Sequence, residues 1–95
     1  MRYSRRTGVE SAPMQEETVI YNAANGKFCM LNETAAFIWD QLDEPRTAEE
    51  ISTRLCDSFD GVDFTHAERD VRKALDQLVE QEMVMRELAA AVLGE

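Results

Sequence analysis

Residues 18–32 read Thr18-Val19-Ile20-Tyr21-Asn22-Ala23-Ala24-Asn25-Gly26-Lys27-Phe28-Cys29-Met30-Leu31-Asn32. Two short apolar runs rich in β-branched and aromatic residues flank a cluster of turn formers. Asn25-Gly26 supplies two residues that tolerate positive φ, so the stretch predicts a β-hairpin. Asn32 follows as a helix N-cap, with Glu33–Leu42 as its helix and Ala36, Phe37, Trp39 and Leu42 available to a core. A weaker strand over Val9–Met14 precedes the hairpin, and residues 1–8 read as a loose basic arm.

Downstream, Asp43-Glu44-Pro45-Arg46 is a break. Thr47-Ala48-Glu49-Glu50 has the form of a capping box, in which Thr47 and Glu50 satisfy each other's end of a helix carrying Ile51 and Leu55. That helix ends near Cys56–Phe59, and Asp60–Phe64 is a loop. Thr65-His66-Ala67-Glu68 reads as a second capping box opening the longest helix, about Thr65–Glu82. Val71, Ala74, Leu75, Leu78 and Val79 form its single apolar stripe of 3.6-residue period. Met83-Val84-Met85 is a short closing strand, and residues 88–95 are an apolar, Ala-rich tail. A hairpin this small must pack on helices. The expected fold is therefore α+β and winged-helix-like: a three-stranded antiparallel sheet followed by three helices, with residues 9–87 as the domain.

Ninety-five residues suffice for one compact core. Ten basic residues stand against nineteen acidic ones, and Arg2, Arg5 and Arg6 occupy the first eight positions, leaving −12 for the rest. Such a domain repels phosphate backbones. A winged-helix DNA-binding regulator is the rival the architecture raises. Its recognition helix would set Arg69, Arg72 and Lys73 against Glu68, Asp70, Asp76, Glu80 and Glu82, a poor phosphate-facing surface. No apolar run approaches the roughly 18 residues of a membrane span. Cys29 and Cys56 form no CxxC pair, and a lone His66 completes no zinc set. Reduced structural thiols fit a cytoplasmic protein. No nucleophile stands in a motif with His66 and no spacing marks a carboxylate pair, so neither catalysis nor a cofactor is expected. Trp39, between Phe37-Ile38 and the rest of its helical stripe, reads as core rather than as a cofactor stack.

The set Leu31-Asn32-Glu33-Thr34-Ala35-Ala36-Phe37-Ile38-Trp39-Asp40, Asp43, Arg46-Thr47-Ala48-Glu49-Glu50-Ile51, Leu55, Asp70-Val71, Leu75, Leu78 and Met83-Val84 resembles the PqqD-like family. These proteins are also called recognition elements of ribosomally synthesised and post-translationally modified peptides. The resemblance spans about residues 10–86. It implies a non-catalytic module that binds the leader of a precursor peptide. The leader would add as an antiparallel strand beside the third strand, here Lys27–Leu31, and lie against the third helix. The partner enzyme would be a radical S-adenosylmethionine protein or a cyclase or protease. Members dedicated to pyrroloquinoline quinone synthesis usually differ from the Asn32–Ala36 text, so the broader peptide-modification branch is the nearer match. A structural subunit of such an enzyme complex is a further alternative.

The residues can be weighed for that use. Strand alternation puts Lys27, Cys29 and Leu31 on one face and Phe28 and Met30 on the other. Both faces are largely apolar, so something must cover both: the first strand or the Ala-rich tail, or else a bound peptide. Edge pairing between two copies would instead give a homodimer. On the long helix Arg69, Lys73 and Gln77 share a face at i, i+4 and i+8, and Arg72 lies beside it. These four either hold acidic or polar leader side chains or form a solvated surface with the interspersed acids.

Overall fold

The computed structural model describes residues 1–14 and 17–87, and the expected 88–95 tail lies outside them. Strands β1 (Arg2–Arg5), β2 (Val9–Met14), β3 (Glu17–Asn22) and β4 (Phe28–Leu31) precede α1 (Glu33–Gln41). The two-residue β5 (Arg46–Thr47), then α2 (Ala48–Ser58), α3 (Phe64–Glu80) and β6 (Val84–Glu87) complete the order. The fold is α+β, but with two antiparallel three-stranded sheets rather than one: β5-β1-β6 and β2-β3-β4.

The chain's first residues are a strand and not a loose arm. β1 pairs with β6 from Arg2↔Glu87 to Arg5↔Val84, and with β5 through Arg2↔Thr47 and Tyr3↔Arg46. Tyr3 is 5% exposed and belongs to the core. Arg5 donates to the Trp39 carbonyl at 2.7 and 3.3 Å from Nη2 and Nε, and its guanidinium carbon lies 4.5 Å from the centre of the Trp39 ring. An arginine over an indole is held by the ring quadrupole as well as by the hydrogen bonds. The basic charge of this segment is thus anchored on the end of α1.

The helices start where local chemistry can satisfy their orphan N–H groups. Asn32 accepts from Ala35 N at 2.8 Å. Thr47 and Glu50 complete a reciprocal capping box, at 3.1 and 2.9 Å. The third helix differs from expectation: its cap is Asp63, which accepts from His66 N at 3.2 Å, and it runs Phe64–Glu80. Asp63 and Thr65 are both good caps two residues apart, and starting at Asp63 places Phe64 in the first turn. Ala67, Val71, Leu75 and Leu78 form the buried stripe of α3. They meet Ile38, Trp39, Leu42, Ile51, Leu55, Ile20, Leu31, Met83 and Val84 in one core.

The hairpin turn is tied down twice. Gly26 takes φ 76° and its N–H returns to the Asn22 carbonyl at 2.9 Å. The Asn22 amide donates to the Glu82 carbonyl at 2.7 Å, while the Asn25 amide and the Lys27 ammonium both reach the Glu82 carboxylate. Glu82 itself sits at φ 64°, an uncommon conformation for a non-glycine residue. The turn of one element therefore rests on the turn of another. No helix among the described residues is long and apolar enough to cross a membrane.

Candidate functional site

Antiparallel pairing fixes which backbone groups of the β2-β3-β4 sheet are free. Asn22 N–H donates to the Lys27 carbonyl at 2.9 Å, which makes Asn22/Lys27 a hydrogen-bonded pair. Such pairs alternate along an antiparallel ladder, so Ile20/Cys29 and Thr18/Leu31 are the next two in the register. Cys29 and Leu31 therefore turn their N–H and C=O toward β3. Phe28 and Met30 turn theirs away, to an edge on which no described strand lies. On the other side, Ala23 N–H donates to the Gly8 carbonyl at 3.2 Å. The same alternation then points Glu10 and Ala12 at β3 and leaves Val9, Ser11 and Pro13 facing outward. Proline has no N–H to offer and is tolerated where a strand's N–H side is free. The β2 edge is blunted and the β4 edge is not.

The side chains of β4 divide as the alternation predicts. Leu31 is buried and Cys29 half-buried. Burial pushes the Cys29 thiol up from its ordinary value, which keeps it protonated and unsuited to nucleophilic work. Phe28 is 65% and Met30 57% exposed, so the outer face of this strand is not covered by β2 or by anything else described. Lys27 precedes the strand, exposed, with its ammonium 3.6 Å from the Glu82 carboxylate.

Immediately beyond β4 the chain enters a cleft of about 270 Å³ between the start of α1 and one flank of α3, lined by Asn32, Thr34, Ala35, Asp70, Lys73, Ala74 and Gln77. Lys73 and Gln77, expected from sequence, are there. Arg69 is exposed one turn before Lys73 on α3. Arg72 is not part of this surface. It pairs with Glu68 at 3.1 Å and borders a different hollow of about 260 Å³, with Met1, Tyr3, Thr47, Ala48 and Glu49. A helical residue is rotated by about 100° from its neighbour, enough to send Arg72 and Lys73 to different sides. Asn32, Thr34, Ala35, Asp70 and Ala74 were not among the expected site residues. Asn32 carried a signal: a helix cap directly after the edge strand marks where sheet and helix meet.

The cleft offers an ammonium, amides, a hydroxyl and one carboxylate over two alanine side chains. It is smaller than the roughly 300–1,000 Å³ typical of small-molecule pockets, and suits single side chains of an extended ligand. Among the described residues no group of three or more His, Cys, Asp and Glu could hold a metal ion. His66 lies exposed on the first turn of α3, 3.2 Å from Asp63, and does not border the cleft.

Comparison with known proteins gives two likenesses of fold. The chain aligns with a structure described as TbiB1 in complex with the TbiA(beta) leader peptide, at TM-score 0.78 and 28% identity, over 88% of this chain and 96% of that one. It aligns with a lasso peptide synthetase B1 complexed with the leader peptide at TM-score 0.77 and 24% identity, over 90% and 100%. No curated protein matches. The family model for coenzyme PQQ synthesis protein D matches residues 17–84, from β3 to the first residue of β6 and across both walls of the cleft, and the chain belongs to that PqqD family.

Proposed function

We propose that this chain is a non-catalytic recognition module that captures the leader of a ribosomally synthesised precursor peptide and presents it to a modifying enzyme. The observation that carries this reading is the unprotected edge of β4. Phe28 and Met30 point their N–H and C=O groups outward, and the strand runs straight into the Asn32–Lys73–Gln77 cleft. An extended peptide added to such an edge gains main-chain hydrogen bonds, while pockets read its alternate side chains. The solved relatives hold leader peptides, which supports a peptide as the ligand. The charge of α3 speaks against the DNA-binding reading, since Arg72 is spent on Glu68 and Asp76 faces Arg86. The partner enzyme, whether a radical S-adenosylmethionine protein or a cyclase or protease, is read from the family resemblance.

The test is an NMR titration of isotope-labelled protein with the synthetic leader of the precursor peptide encoded beside it. Saturable shifts at Phe28–Leu31 and Lys73–Gln77 are expected, at micromolar affinity or tighter (about −8 kcal/mol). Met30→Pro deletes one outward N–H without touching the β3 ladder. It should keep the native spectrum and weaken the leader at least tenfold, whereas Cys29→Pro would break the hairpin itself. Leader binding that ignores Met30→Pro would remove strand addition from the reading. An absence of any shift would leave a structural subunit of the enzyme complex as the better account.

A further inference from the structure

The outer face of the open sheet carries apolar side chains in two cross-strand rows. One runs Ala12–Val19–Met30 and the other is Tyr21–Phe28, bounded on the β2 side by the charged Glu10, by the pairings Ala12↔Val19, Val19↔Met30, Glu10↔Tyr21 and Tyr21↔Phe28. Tyr21, Phe28 and Met30 are each more than two-fifths exposed. Single exposed apolar residues are ordinary, but a contiguous apolar patch marks an interaction surface. On an unprotected edge strand it is also an aggregation hazard. Both rows end at β4, on the two residues whose backbone groups face the free edge.

That coincidence fixes what lies beside them when the edge is used. A strand added to β4 forms its hydrogen-bonded pairs with Phe28 and Met30. The two peptide residues so paired are separated by one and point their side chains to the same outer face. They stand about 4.5–5.5 Å, Cβ to Cβ, from Phe28 and Met30. The residue between them points the other way, to the face of Cys29 and Leu31.

We propose, resting on the leader-capture reading, that Phe28 and Met30 form a second recognition surface. It selects peptides with two large apolar or aromatic side chains at i and i+2, which extend the Tyr21–Phe28 and Val19–Met30 rows by one strand. The sheet face thereby reads half of the added strand, and the cleft beside α3 reads the other half. Specificity is split between the two sides of one β-strand.

The experiment is a selection of randomised dodecapeptides displayed on messenger RNA against the immobilised full chain, and in parallel against a Phe28→Ser/Met30→Ser double variant. Enriched peptides should share apolar residues at i and i+2 with the wild type and lose that pattern with the variant. Synthetic versions of the wild-type winners should bind the variant roughly 2- to 30-fold more weakly, the product of two cross-strand pairs. Phe28→Leu, which keeps an apolar side chain, should retain most of the affinity. Both positions are exposed, so circular dichroism and the melting transition should show the variant folded. The same pattern and affinity on both proteins, with binding still lost in Met30→Pro, would overturn this proposal and leave leader capture standing. No enrichment on the wild type, or winners indifferent to Met30→Pro, would overturn both. A dimer of the free protein in sedimentation, dissolved by the double variant, would give the face to a second copy of the chain and also overturn the proposal.

Discussion

In the sheet β5-β1-β6 the central strand is shielded on both sides, and its Tyr3 is 5% exposed. In the sheet β2-β3-β4 the strand that meets the helices is an edge, and its Phe28 is 65% exposed. The first is closed by strands that lie far away in sequence, β5 and β6, and its basic residues are consumed internally, with Arg5 on Trp39 and Arg2 beside Glu87. The second is built from neighbouring strands joined by short connections, with one edge blunted by Pro13 and the other left open. The difference teaches that one sheet completes the fold while the other leaves an edge open, the edge proposed above to take the leader. Substitutions should sort accordingly, into losses of stability and losses of binding.

The largest effect should come from the closed sheet. Tyr3→Ala empties a core position and should cost about 3–5 kcal/mol, read as a lower urea midpoint. A loss below about 1 kcal/mol would return residues 1–8 to the status of a loose arm. Arg5→Met keeps the length of the side chain but removes the hydrogen bonds to the Trp39 carbonyl and the contact of charge with ring. A loss of about 1–2 kcal/mol is expected, checked by the same denaturation. If peptide affinity moved instead of stability, the separation of the two sheets would fail.

Smaller effects sharpen the open side. Lys73→Glu places a second carboxylate beside Asp70 in the cleft and should weaken an acidic leader about 3- to 10-fold, of the order of one net hydrogen bond. Arg72→Glu, one residue away, should leave the affinity within about twofold, because Arg72 borders the hollow beside Tyr3 and Thr47. Calorimetry with the same leader compares the two. Equal weakening by both would mean that the ligand responds to net charge and not to the cleft.

What the sequence disclosed follows the range of the interactions involved. The hairpin, the Asn32 cap, the Thr47–Glu50 box and the stripe of α3 were legible because each is decided within a turn or two of chain. β1 was not: Arg2-Tyr3-Ser4-Arg5 has a charged, unpatterned text, and its strand character comes from partners at residues 46–47 and 84–87. Asp63 and Thr65 are both good caps, and the local text does not choose between them. At the site, the alternation of β4 was readable, but which of its residues face the free edge needed the Asn22–Lys27 hydrogen bond. Helical period sets Lys73 and Gln77 on one face of α3, and both border the cleft. Arg72 shares the charge of Lys73 but borders the other hollow, because charge type alone does not resolve a rotation of one residue.

The pairing of Arg2 with Glu87 also sets a timetable for the protein's birth. Translation at about 5–20 residues per second releases β1 roughly 4–17 s before its main partner exists. During that interval β1 has only the two-residue β5 to pair with, and the growing chain can bring the β2–β3–β4 sheet against the helices before β6 seals β1. The edge proposed for the peptide can form early on the ribosome, and the seal of the domain comes among the last described residues to be made.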